Sequence, residues 1–311
     1  MQDTQAFYNG DVYSSSGATI NKNGIFFAVV NSFFLRINHS DLLSRLLRKK
    51  IHQVIPYDEG VVVVIKYKFI FFDSNGVLKG ELKIKRGSRP LKQGVVILNG
   101  FLYYGDYWPN KESLPARLYK VNLATLESTV LVEFFHVRHI HAVHQDKTSA
   151  DALLVCTGDL DSESGIYQVN TSTAKIDVIH EGSQSCRAVS LLQIGRDLVW
   201  GSDSPDQINA IFKLNRDLPQ QLTKLIDIAG PAYYSTKLAS GELLISTGVE
   251  DKSRHKAIIY CSLDGGLTWS VNRSFAKDIW SPKYFGYGLI EFPYGQSERR
   301  TLTYNLTGLR Q

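Results

Sequence analysis

The sequence predicts an all-β fold, a β-propeller of six blades with four antiparallel strands each. Strand-like runs rich in β-branched and aromatic residues alternate with turn residues along almost all of the 311 residues. A unit of apolar strand, glycine with an acid, polar loop and second strand recurs with the period of a propeller blade. We therefore expect a single propeller domain over residues 1–311, with five or seven blades as alternatives.

Four copies of this unit support the prediction. In each copy a glycine is followed within two residues by an acidic side chain, and the second strand then leads into a turn bearing Asn or Asp. Successive glycines are 53, 43 and 47 residues apart: Gly105, Gly158, Gly201 and Gly248. The spacing fits a blade of about four strands.

The two ends of the chain are harder to divide into blades. Residues 24–38 and 60–84 keep the strand rhythm but lack the acidic loop. Strand-like runs at 287–292 and 301–306 are expected to pair with the N-terminal strands, because closing the ring removes free sheet edges that would otherwise aggregate. One helix is expected, at 41–50.

Composition and charge argue against several classes of protein. No run of about 18 apolar residues exists, so we expect no membrane span. The net charge of +5 is mild, and its densest patch, at 45–50, lacks interleaved aromatics; it predicts a solvated strand or turn and no nucleic-acid partner. Three distant cysteines indicate buried free thiols. The N-terminus lacks a signal-peptide pattern, which favours the cytoplasm, although a secreted form without its leader would look the same.

One local motif resembles that of a known family. The residues Ser-Leu-Asp-Gly-Gly-Leu-Thr-Trp at 262–269 match the Asp-box, Ser-x-Asp-x-Gly-x-Thr-Trp, of the sialidase-like BNR-repeat propellers. In this motif the Ser and Asp side chains satisfy backbone amides of a tight turn, and the Trp packs between strands. Residues 72–76 look like a decayed copy. The resemblance implies that both segments lie in outer hairpins, away from the ligand face.

A longer stretch, roughly residues 95–310, resembles uncharacterised glycosidase-like BNR-repeat proteins. Those carry Arg-His-Ile-His, Thr-Gly-Asp with Ser-Glu-Ser-Gly, a Gln/Arg strand and Trp-Gly-x-Asp, which begin here at Arg138, Thr157, Ser162, Gln184 and Trp200. The Phe/Tyr-Arg-Ile-Pro segment of true sialidases is absent. The resemblance therefore implies a propeller that acts on or binds carbohydrate, without orthodox sialidase chemistry.

Segment 137–144 and the acidic loops together predict one polar site. His139 and His141 are expected on the same face of a strand, because alternate side chains point the same way. In a propeller, the loops that enter each first strand and those that join the second strand to the third open on one face. That face is expected to gather Asp106, Arg138, His139, His141, Asp159, Gln184, Arg187, Asp203, Tyr233 and Glu250.

A funnel with these groups suits an acidic oligo- or polysaccharide. Aromatic rings, Tyr107 among them, can stack on sugar faces, and arginines can pair with a uronate or sialate carboxylate in bidentate fashion. The expected substrate-binding side chains are Tyr104, Asp106, Trp108, Arg138, Gln184 and Arg187.

Two reactions are compatible with the site. Hydrolysis needs two carboxyl groups, one of them with a raised pKa, and the acidic loops supply three candidates. Elimination from a uronate needs Arg or a metal to neutralise its carboxylate, and a His or Tyr to remove the α-proton. The expected catalytic residues are His139, His141, Asp159, Asp203, Tyr233 and Glu250.

The sequence makes no cofactor certain, and a divalent metal is the candidate. His139 and His141 could hold it, with His144 or Gln184 completing the set, although His144 is one residue out of phase and is expected to be structural or on the surface. Each Gly-acid loop taken alone is better explained as a turn-stabilising motif. The mixed acid/base set favours an enzyme; the alternatives are a non-catalytic propeller that binds glycan or protein, and a metal-dependent lactonase.

Overall fold

The structure is a computed structural model that describes residues 4–31, 41–47, 50–250 and 255–310. Within these ranges, six four-stranded antiparallel sheets form the blades of a β-propeller, and one two-stranded sheet accompanies them. Strands that follow each other along the chain lie side by side in every blade. The predicted fold class, blade number and strand number are confirmed.

The first three blades take up the N-terminal half of the chain. Blade 1 consists of β1 (Thr4–Tyr8), β2 (Asp11–Ser16), β3 (Thr19–Lys22) and β4 (Ile25–Val29). Blade 2 consists of β5 (Gln53–Tyr57), β6 (Gly60–Ile65), β7 (Lys68–Asp73) and β8 (Leu78–Lys83). Blade 3 consists of β9 (Val95–Leu98), β10 (Phe101–Gly105), β11 (Ala116–Asn122) and β12 (Ser128–Phe134).

The other three blades and the two-stranded sheet follow. Blade 4 consists of β13 (His139–Gln145), β14 (Ala152–Gly158), β15 (Gly165–Asn170) and β16 (Ile176–Glu181). Blade 5 consists of β17 (Leu192–Ile194), β18 (Asp197–Gly201), β19 (Ala210–Asn215) and β20 (Leu222–Asp227). Blade 6 consists of β21 (Ala232–Lys237), β22 (Leu243–Thr247), β23 (Lys256–Ser262) and β24 (Ser270–Ala276). The closing sheet consists of β25 (Leu289–Glu291) and β26 (Asn305–Thr307).

Helices are short and few among the described residues. The two α-helices are α1 (Asp41–Leu47) and α2 (Pro282–Phe285). Single 3₁₀ turns cover Lys92–Gly94, Asp161–Glu163, Gln184–Cys186 and Gln296–Glu298. No helix in the described part of the chain has the length and apolar content needed to cross a membrane.

Burial follows the position of a strand within its blade. The first strands of successive blades contact one another around the centre, as β1 does with β5 and β9 with β13. The second strands β6 and β14 are buried at every position, whereas the fourth strand β24 is exposed at all but one. Strands covered on both faces have to be apolar throughout, which explains the unbroken apolar runs in the sequence.

Apolar clusters fill the spaces between neighbouring sheets. One cluster joins blade 1 to blade 2, and four more join each later blade to the next. A further cluster joins blade 6 to the closing sheet through Val249 and Ile290. Burial of this apolar surface between blades is the main driving force that holds the ring together.

The closing sheet completes the ring between blade 6 and blade 1. Its two strands pair with each other, and the connection between them meets blade 1 through a parallel bridge between Ala6 and Tyr294. The backbone N–H of Phe7 donates to the carbonyl of Tyr294 at 2.8 Å. The predicted pairing of the runs at 287–292 and 301–306 with N-terminal strands is therefore wrong: their strands pair with each other, and the one bridge to blade 1 lies at Tyr294, between the two runs, because blade 1 already has four strands of its own.

Blade 1 begins earlier than the sequence pattern indicated. It spans residues 4–29, and only β4 falls in the unit expected at 24–38, whose last seven residues lie outside the described ranges. The reason is the polar composition of β2 and β3, Asp-Val-Tyr-Ser-Ser-Ser and Thr-Ile-Asn-Lys, which does not read as strand. The unit expected at 60–84 matches β6 to β8 and lacks only β5.

The Asp-box forms the outer hairpin between β23 and β24. Asp264 accepts hydrogen bonds from the backbone N–H groups of Leu267 and Thr268, and Ser262 Oγ accepts one from Gly266. Trp269 is 8% exposed and packs between blades 5 and 6. The decayed copy occupies the same hairpin of blade 2, where the carboxylate of Asp73 accepts backbone N–H groups.

The basic patch at 45–50 differs from the expected solvated segment. Arg45 lies on α1 and is 8% exposed, with an ion pair of 2.7 Å to Asp278 and a hydrogen bond from Nε to the carbonyl of Phe285. The patch is therefore buried at Arg45, because the connection after β24 supplies a carboxylate there. Residues 48 and 49 lie outside the described ranges. The three cysteines are free, as predicted; Cys156 and Cys186 are buried, whereas Cys261 is half-buried.

Candidate functional site

A funnel at one end of the central channel contains most of the predicted polar groups. Its cavity has a volume of about 650 Å³ and is lined by segments that precede first strands and follow second strands. The predicted site residues that line it come from blades 4, 5 and 6: His139, His141, Asp159, Arg187, Asp203, Tyr233 and Glu250. The topology therefore gathers distant parts of the chain on one face.

Two β-bulges aim site side chains into this cavity. In the pairing of β13 with β14, Ile140 and Ala142 face consecutive partners, which leaves His141 as the extra residue. Tyr233 is the extra residue in the same way where β21 pairs with β22. A bulge bends the strand and redirects the extra side chain. His139 and His141 therefore meet through a bulge and not through the strict alternation that the sequence suggested.

Three possible ligand atoms converge at the wall of blade 4. The Nε2 atoms of His139 and His141 are 2.9 Å apart, and Oδ1 of Asp159 lies 3.2 Å from the first and 3.4 Å from the second. Ligand atoms bound at about 2.1 Å to a tetrahedral or octahedral ion sit about 3.0–3.4 Å from each other. His139, His141 and Asp159 thus form a cluster that could hold a divalent metal ion.

The protonation of His139 is set by a neighbouring carbonyl. Its Nδ1 lies 3.1 Å from the carbonyl oxygen of Trp108, which can only accept, so Nδ1 carries the hydrogen. In the neutral ring, Nε2 then keeps its lone pair and points it at the other two members of the cluster. Metal-binding histidines commonly have such a carbonyl partner on the second ring nitrogen.

The electrostatics of the cluster favour ligands over proton donors. Burial lowers the pKa of His141 to about 4, so its ring is neutral at neutral pH. Burial alone would raise the pKa of Asp159, but the contacts with His139 and His141 outweigh it and hold this pKa below its usual value. Asp159 is therefore ionised, and its carboxylate faces the neutral ring of His141 as well as the ring of His139.

Arg187 and Gln184 hold the loop that carries Asp159. Both donate to its backbone carbonyl at 2.9 Å, and Nη2 of Arg187 lies 3.1 Å from Oδ1 of the carboxylate. Arg187 Nε lies 3.5 Å from Oδ2 of Asp203, so the guanidinium links two acidic loops. Gly158 packs closely against this group, because a Cβ there would lie 3.0 Å from Oγ of Ser164 and in van der Waals contact with Arg187 and His141.

Asp203, Tyr233 and Glu250 form a second group on the side of blades 5 and 6. Burial, opposed by Arg187 and reinforced by Glu250, raises the pKa of Asp203 to about 8, so its carboxyl is protonated at neutral pH. The hydroxyl of Tyr233 donates to Oε1 of Glu250. Burial and the nearby carboxylates raise the pKa of Tyr233 well above 10, so the phenol keeps its proton. The group offers a neutral acid beside a carboxylate.

Tyr104 and Asp106 lie away from the funnel. Tyr104 is fully buried between blades 2 and 3 and stacks on Tyr119 at 4.7 Å, which leaves no face for a sugar. Asp106 is 1% exposed; one carboxylate oxygen accepts the backbone N–H of Arg117 at 3.0 Å and lies 3.4 Å from Arg86. The acid of this Gly-acid loop therefore stabilises the local turn.

Three predicted site residues support the site from outside the cavity: Trp108, Arg138 and Gln184. The ring of Trp108 packs against the guanidinium of Arg86 at 4.8 Å, while its carbonyl orients His139. Arg138 lies 3.5 Å from Oδ2 of Asp159. Neither residue predicted to complete the metal site belongs to the cluster. His144 accepts the backbone N–H of Leu191, and Gln184 donates to the backbone carbonyl of Asp159. The carboxylate of Asp159 takes their place.

Several cavity residues carried no strong signal in the sequence. Tyr107 packs its ring 4.6 Å from that of His139. A basic wall comes from the segments before β5 and between β8 and β9, which the repeat pattern did not mark. Its members are Lys50, His52, Arg89 and Lys92. The spacing of basic residues around a prolyl connection (Arg89-Pro90-Leu91-Lys92) is the only sequence signal that could have indicated it.

Comparison by sequence gives no match, either to a protein-family model or to a curated protein. Among solved structures, the WD40 propeller domain of Doa1 is similar at 11% identity, over 88% of this chain and 86% of that chain, with a TM-score of 0.55. A chain of the nidogen/laminin complex is similar at 12% identity, over 88% and 92%, with a TM-score of 0.51. At such low identity the likeness shows the β-propeller fold alone.

A third solved structure is an oligogalacturonate lyase in complex with manganese. The identity is 14% over 70% of this chain and 64% of that chain, and the TM-score is 0.45. This value is too low to support an argument about function. The comparisons thus agree on a propeller and do not select the BNR-repeat family among propellers.

Proposed function

We propose that this protein is an enzyme that cleaves an acidic glycan in the funnel by elimination, with a divalent metal ion held by His139, His141 and Asp159. The observation that carries the proposal is the convergence of two imidazole nitrogens and one carboxylate oxygen within 2.9–3.4 Å. Their separations match those of ligand atoms around one divalent metal ion, and the three residues are of the types that bind such an ion. Nitrogen and oxygen ligands of this kind suit Zn²⁺, Mn²⁺ or Fe²⁺.

The substrate class follows from the charges that surround the cluster. Arg187 lies beside the three ligands and can pair with a sugar carboxylate. A bound metal ion would supply further positive charge there and make the hydrogen next to that carboxylate more acidic. The ring of Tyr107 lines the same cavity and offers an apolar face to a sugar. A uronic acid satisfies all three features.

The second group supplies the acid and the base. Glu250 removes the hydrogen from the carbon next to the carboxylate, and the electron pair of that C–H bond forms a carbon–carbon double bond. The bond to the glycosidic oxygen breaks, and Asp203 transfers its proton to that oxygen. The burial of Asp203 keeps this proton available at neutral pH. Tyr233 holds Glu250 in position through its hydroxyl.

Elimination is favoured over hydrolysis by the state of Asp159. Hydrolysis by a pair of carboxyl groups needs both to face the scissile bond. Asp159 is instead engaged by two histidines and by Arg187. Asp203 and Glu250 then remain as a pair of acid and base, and a cation bound beside them would make the hydrogen next to the sugar carboxylate more acidic, as elimination requires.

The test is the product formed from uronate-containing oligosaccharides. The protein, loaded with Mn²⁺ or Zn²⁺, is incubated with acidic oligosaccharides, and products are identified by mass and ultraviolet absorbance. Elimination yields an unsaturated sugar without addition of water, and the variant Glu250→Gln should form it at least roughly 100-fold more slowly. Products that contain one added water would show that the protein cleaves the glycan by hydrolysis and not by elimination. Saturable binding without any product would favour a glycan-binding propeller.

A further inference from the structure

We propose that the central channel contains a second binding site, next to the funnel, for one uncharged molecule rich in hydroxyl groups, such as a monosaccharide or a cyclitol. The site is a separate cavity of about 220 Å³, called the inner cavity below. Its residues take no part in the proposed elimination, so its ligand binds whether or not the funnel cleaves a glycan.

The inner cavity continues the channel beyond the funnel. Strand β13 gives the funnel its two histidines, at its start, and gives the inner cavity residues 143–145, nearer its end. Strand β21 is divided in the same way, with residues 233–234 in the funnel and 235–236 in the inner cavity. Lys92 and Glu291 line both spaces and form an ion pair of 2.8 Å. This ion pair therefore separates the funnel from the inner cavity.

The lining of the inner cavity is electrically balanced. Among the described residues that line it, the charged side chains are Lys92 and Glu291, which pair with each other. The other carboxylate oxygen of Glu291 accepts a hydrogen bond from the hydroxyl of Tyr234 at 3.2 Å. His144 is neutral at neutral pH, because burial lowers its pKa to about 4. A charged ligand would lose its hydration here without a matching charge, so the site favours a neutral ligand.

Carboxamide side chains are the most frequent polar groups in this lining. A carboxamide both donates and accepts hydrogen bonds, as a hydroxyl group does, so the two pair in either direction. Phe292 and Tyr294 add apolar surface for the C–H face of a sugar ring. Gln296 is held by the backbone of Thr301 and Thr303. The carboxamides among the described lining residues are Gln5, Gln53, Gln93, Gln145, Gln296 and Asn305.

Two buried polar atoms of the lining have no hydrogen-bond partner in the structure. Gln53 is 7% exposed, and its Nε2 donates to the carbonyl of Lys92 at 3.1 Å, which holds the side chain while Oε1 stays unpaired. The second atom is Oγ of Ser235. Buried polar atoms are usually satisfied by protein, ligand or ordered water. Gln53 belongs to blade 2 and Ser235 to blade 6, so one molecule with several hydroxyl groups can bridge them across the channel.

The volume of the inner cavity limits the size of the ligand. A space of 220 Å³ equals that of about seven water molecules, at roughly 30 Å³ each. It is smaller than the pockets of roughly 300–1,000 Å³ that hold drug-sized ligands. One six-carbon sugar or cyclitol therefore fits, and a disaccharide does not. The exposed residue Ser297 belongs to the lining, so a ligand can enter without passing the ion pair.

The test is calorimetric titration of metal-free protein with galactose and with myo-inositol. The double variant Gln53→Leu/Ser235→Ala removes both unpaired oxygens and should bind the better of the two probes at least about tenfold more weakly than wild type. The matched control, Gln220→Leu/Ser274→Ala, makes the same changes at two exposed positions outside both cavities and should bind as wild type does. Galacturonate added beforehand should leave this binding unchanged, because it is excluded from the inner cavity by its charge.

Crystals of wild-type protein soaked with the same probes decide the question even if the double variant does not fold. Electron density for the probe beside Oε1 of Gln53 and Oγ of Ser235 supports the site. Ordered water alone in the inner cavity, or binding that the double variant retains, overturns it. Displacement of the probe by galacturonate would place the probe in the funnel and overturn this site alone. A probe bound here while uronate oligosaccharides give no product would overturn the proposed function alone.

Discussion

At the scale of single residues, the site depends on which groups hold protons. The carbonyl of Trp108 places a hydrogen on Nδ1 of His139, burial keeps His141 neutral, and both rings direct Nε2 towards the carboxylate of Asp159. Asp203 is in the opposite state, because the nearby carboxylates and burial keep it protonated. Neighbouring acids in one funnel thus differ in protonation state, a pattern that is common in active sites and supports the proposed function.

We expect His139→Ala to weaken divalent-metal binding by more than about 100-fold. Loss of a group that merely supports a ligand typically lowers affinity by roughly 10–100-fold, so loss of a direct ligand should exceed that range. Titration of metal-free protein with Zn²⁺ or Mn²⁺ measures the change. His180→Ala, on the outer strand β16, is the control and should bind as the wild type does. Equal metal affinity in His139→Ala and wild type would contradict a metal site formed by His139.

We expect Asp203→Asn to stabilise metal-free protein at high pH. The folded protein holds this proton up to about pH 8, whereas an ordinary Asp has a pKa of 3.8. The folded state therefore binds more protons than the unfolded state between these values, and the contribution of Asp203 to stability falls as pH rises through that window. Asparagine has no proton to lose.

Thermal unfolding at pH 5 and pH 9 measures this effect. The melting temperature of Asp203→Asn relative to wild type should be higher at pH 9 than at pH 5. The variant Asp206→Asn, at an exposed position, should show no such dependence. A difference between Asp203→Asn and wild type that stays constant with pH would show that Asp203 ionises normally.

At the scale of elements, hairpin turns were predictable and bulges were not. The Asp-box and its decayed copy could be placed because their side chains bond to backbone only a few residues away. The bulges at His141 and Tyr233 depend on the register between two strands, which is set by packing across the blade. Local sequence does not contain that information. The sequence predicted that the two histidines lie together, but from strand alternation alone and without the bulge.

The same distinction explains which site residues were found. Asp159, Asp203 and Glu250 share a repeated position after the second strand, and one pattern revealed all three. Asp106 has the same pattern, yet it turns into the protein, where its Oδ2 accepts the backbone N–H of Arg117. The basic wall lies in connections between blades that carry no repeat, so only the folded ring shows that it faces the cluster.

We expect Trp269→Ala to lower the free energy of unfolding by about 3–5 kcal/mol while leaving the funnel intact. The indole fills the space between blades 5 and 6 behind the Asp-box turn. Denaturant unfolding measures the loss, with Leu263→Ala as the control because Leu263 is 80% exposed in the same hairpin. Metal affinity below the unfolding transition should stay unchanged. A stability equal to wild type would mean that the Asp-box does not join the blades.

At the scale of the whole molecule, the ring closes through the connection between β25 and β26. This connection meets blade 1 at the bridge between Ala6 and Tyr294, and Tyr294 also packs against the apolar cluster of blades 1 and 2. Gly295 lies next to that bridge with φ +72°, and a Cβ there would come within 1.8 Å of the carbonyl oxygen of Phe7. Closure thus requires glycine at this position.

We expect Gly295→Ala to lower stability by about 2–4 kcal/mol, from the left-handed backbone and from the clash. Gly10→Ala isolates the backbone effect, since Gly10 has φ +84° and nothing within 4 Å of a Cβ, and it should cost roughly 1 kcal/mol. Denaturant unfolding compares the two. Equal losses would show that the contact with Phe7 does not hold the ring closed.

The funnel joins these scales, because the closed ring is what brings blade 4, blades 5 and 6 and the basic wall around one cavity. The most direct measurement is a crystal structure of protein soaked with Mn²⁺ and a short oligo-uronate, with anomalous data to locate the metal. We predict an ion among Nε2 of His139, Nε2 of His141 and the carboxylate of Asp159, with a sugar carboxylate beside it and Arg187. A metal-free cluster with the sugar bound elsewhere would contradict the account.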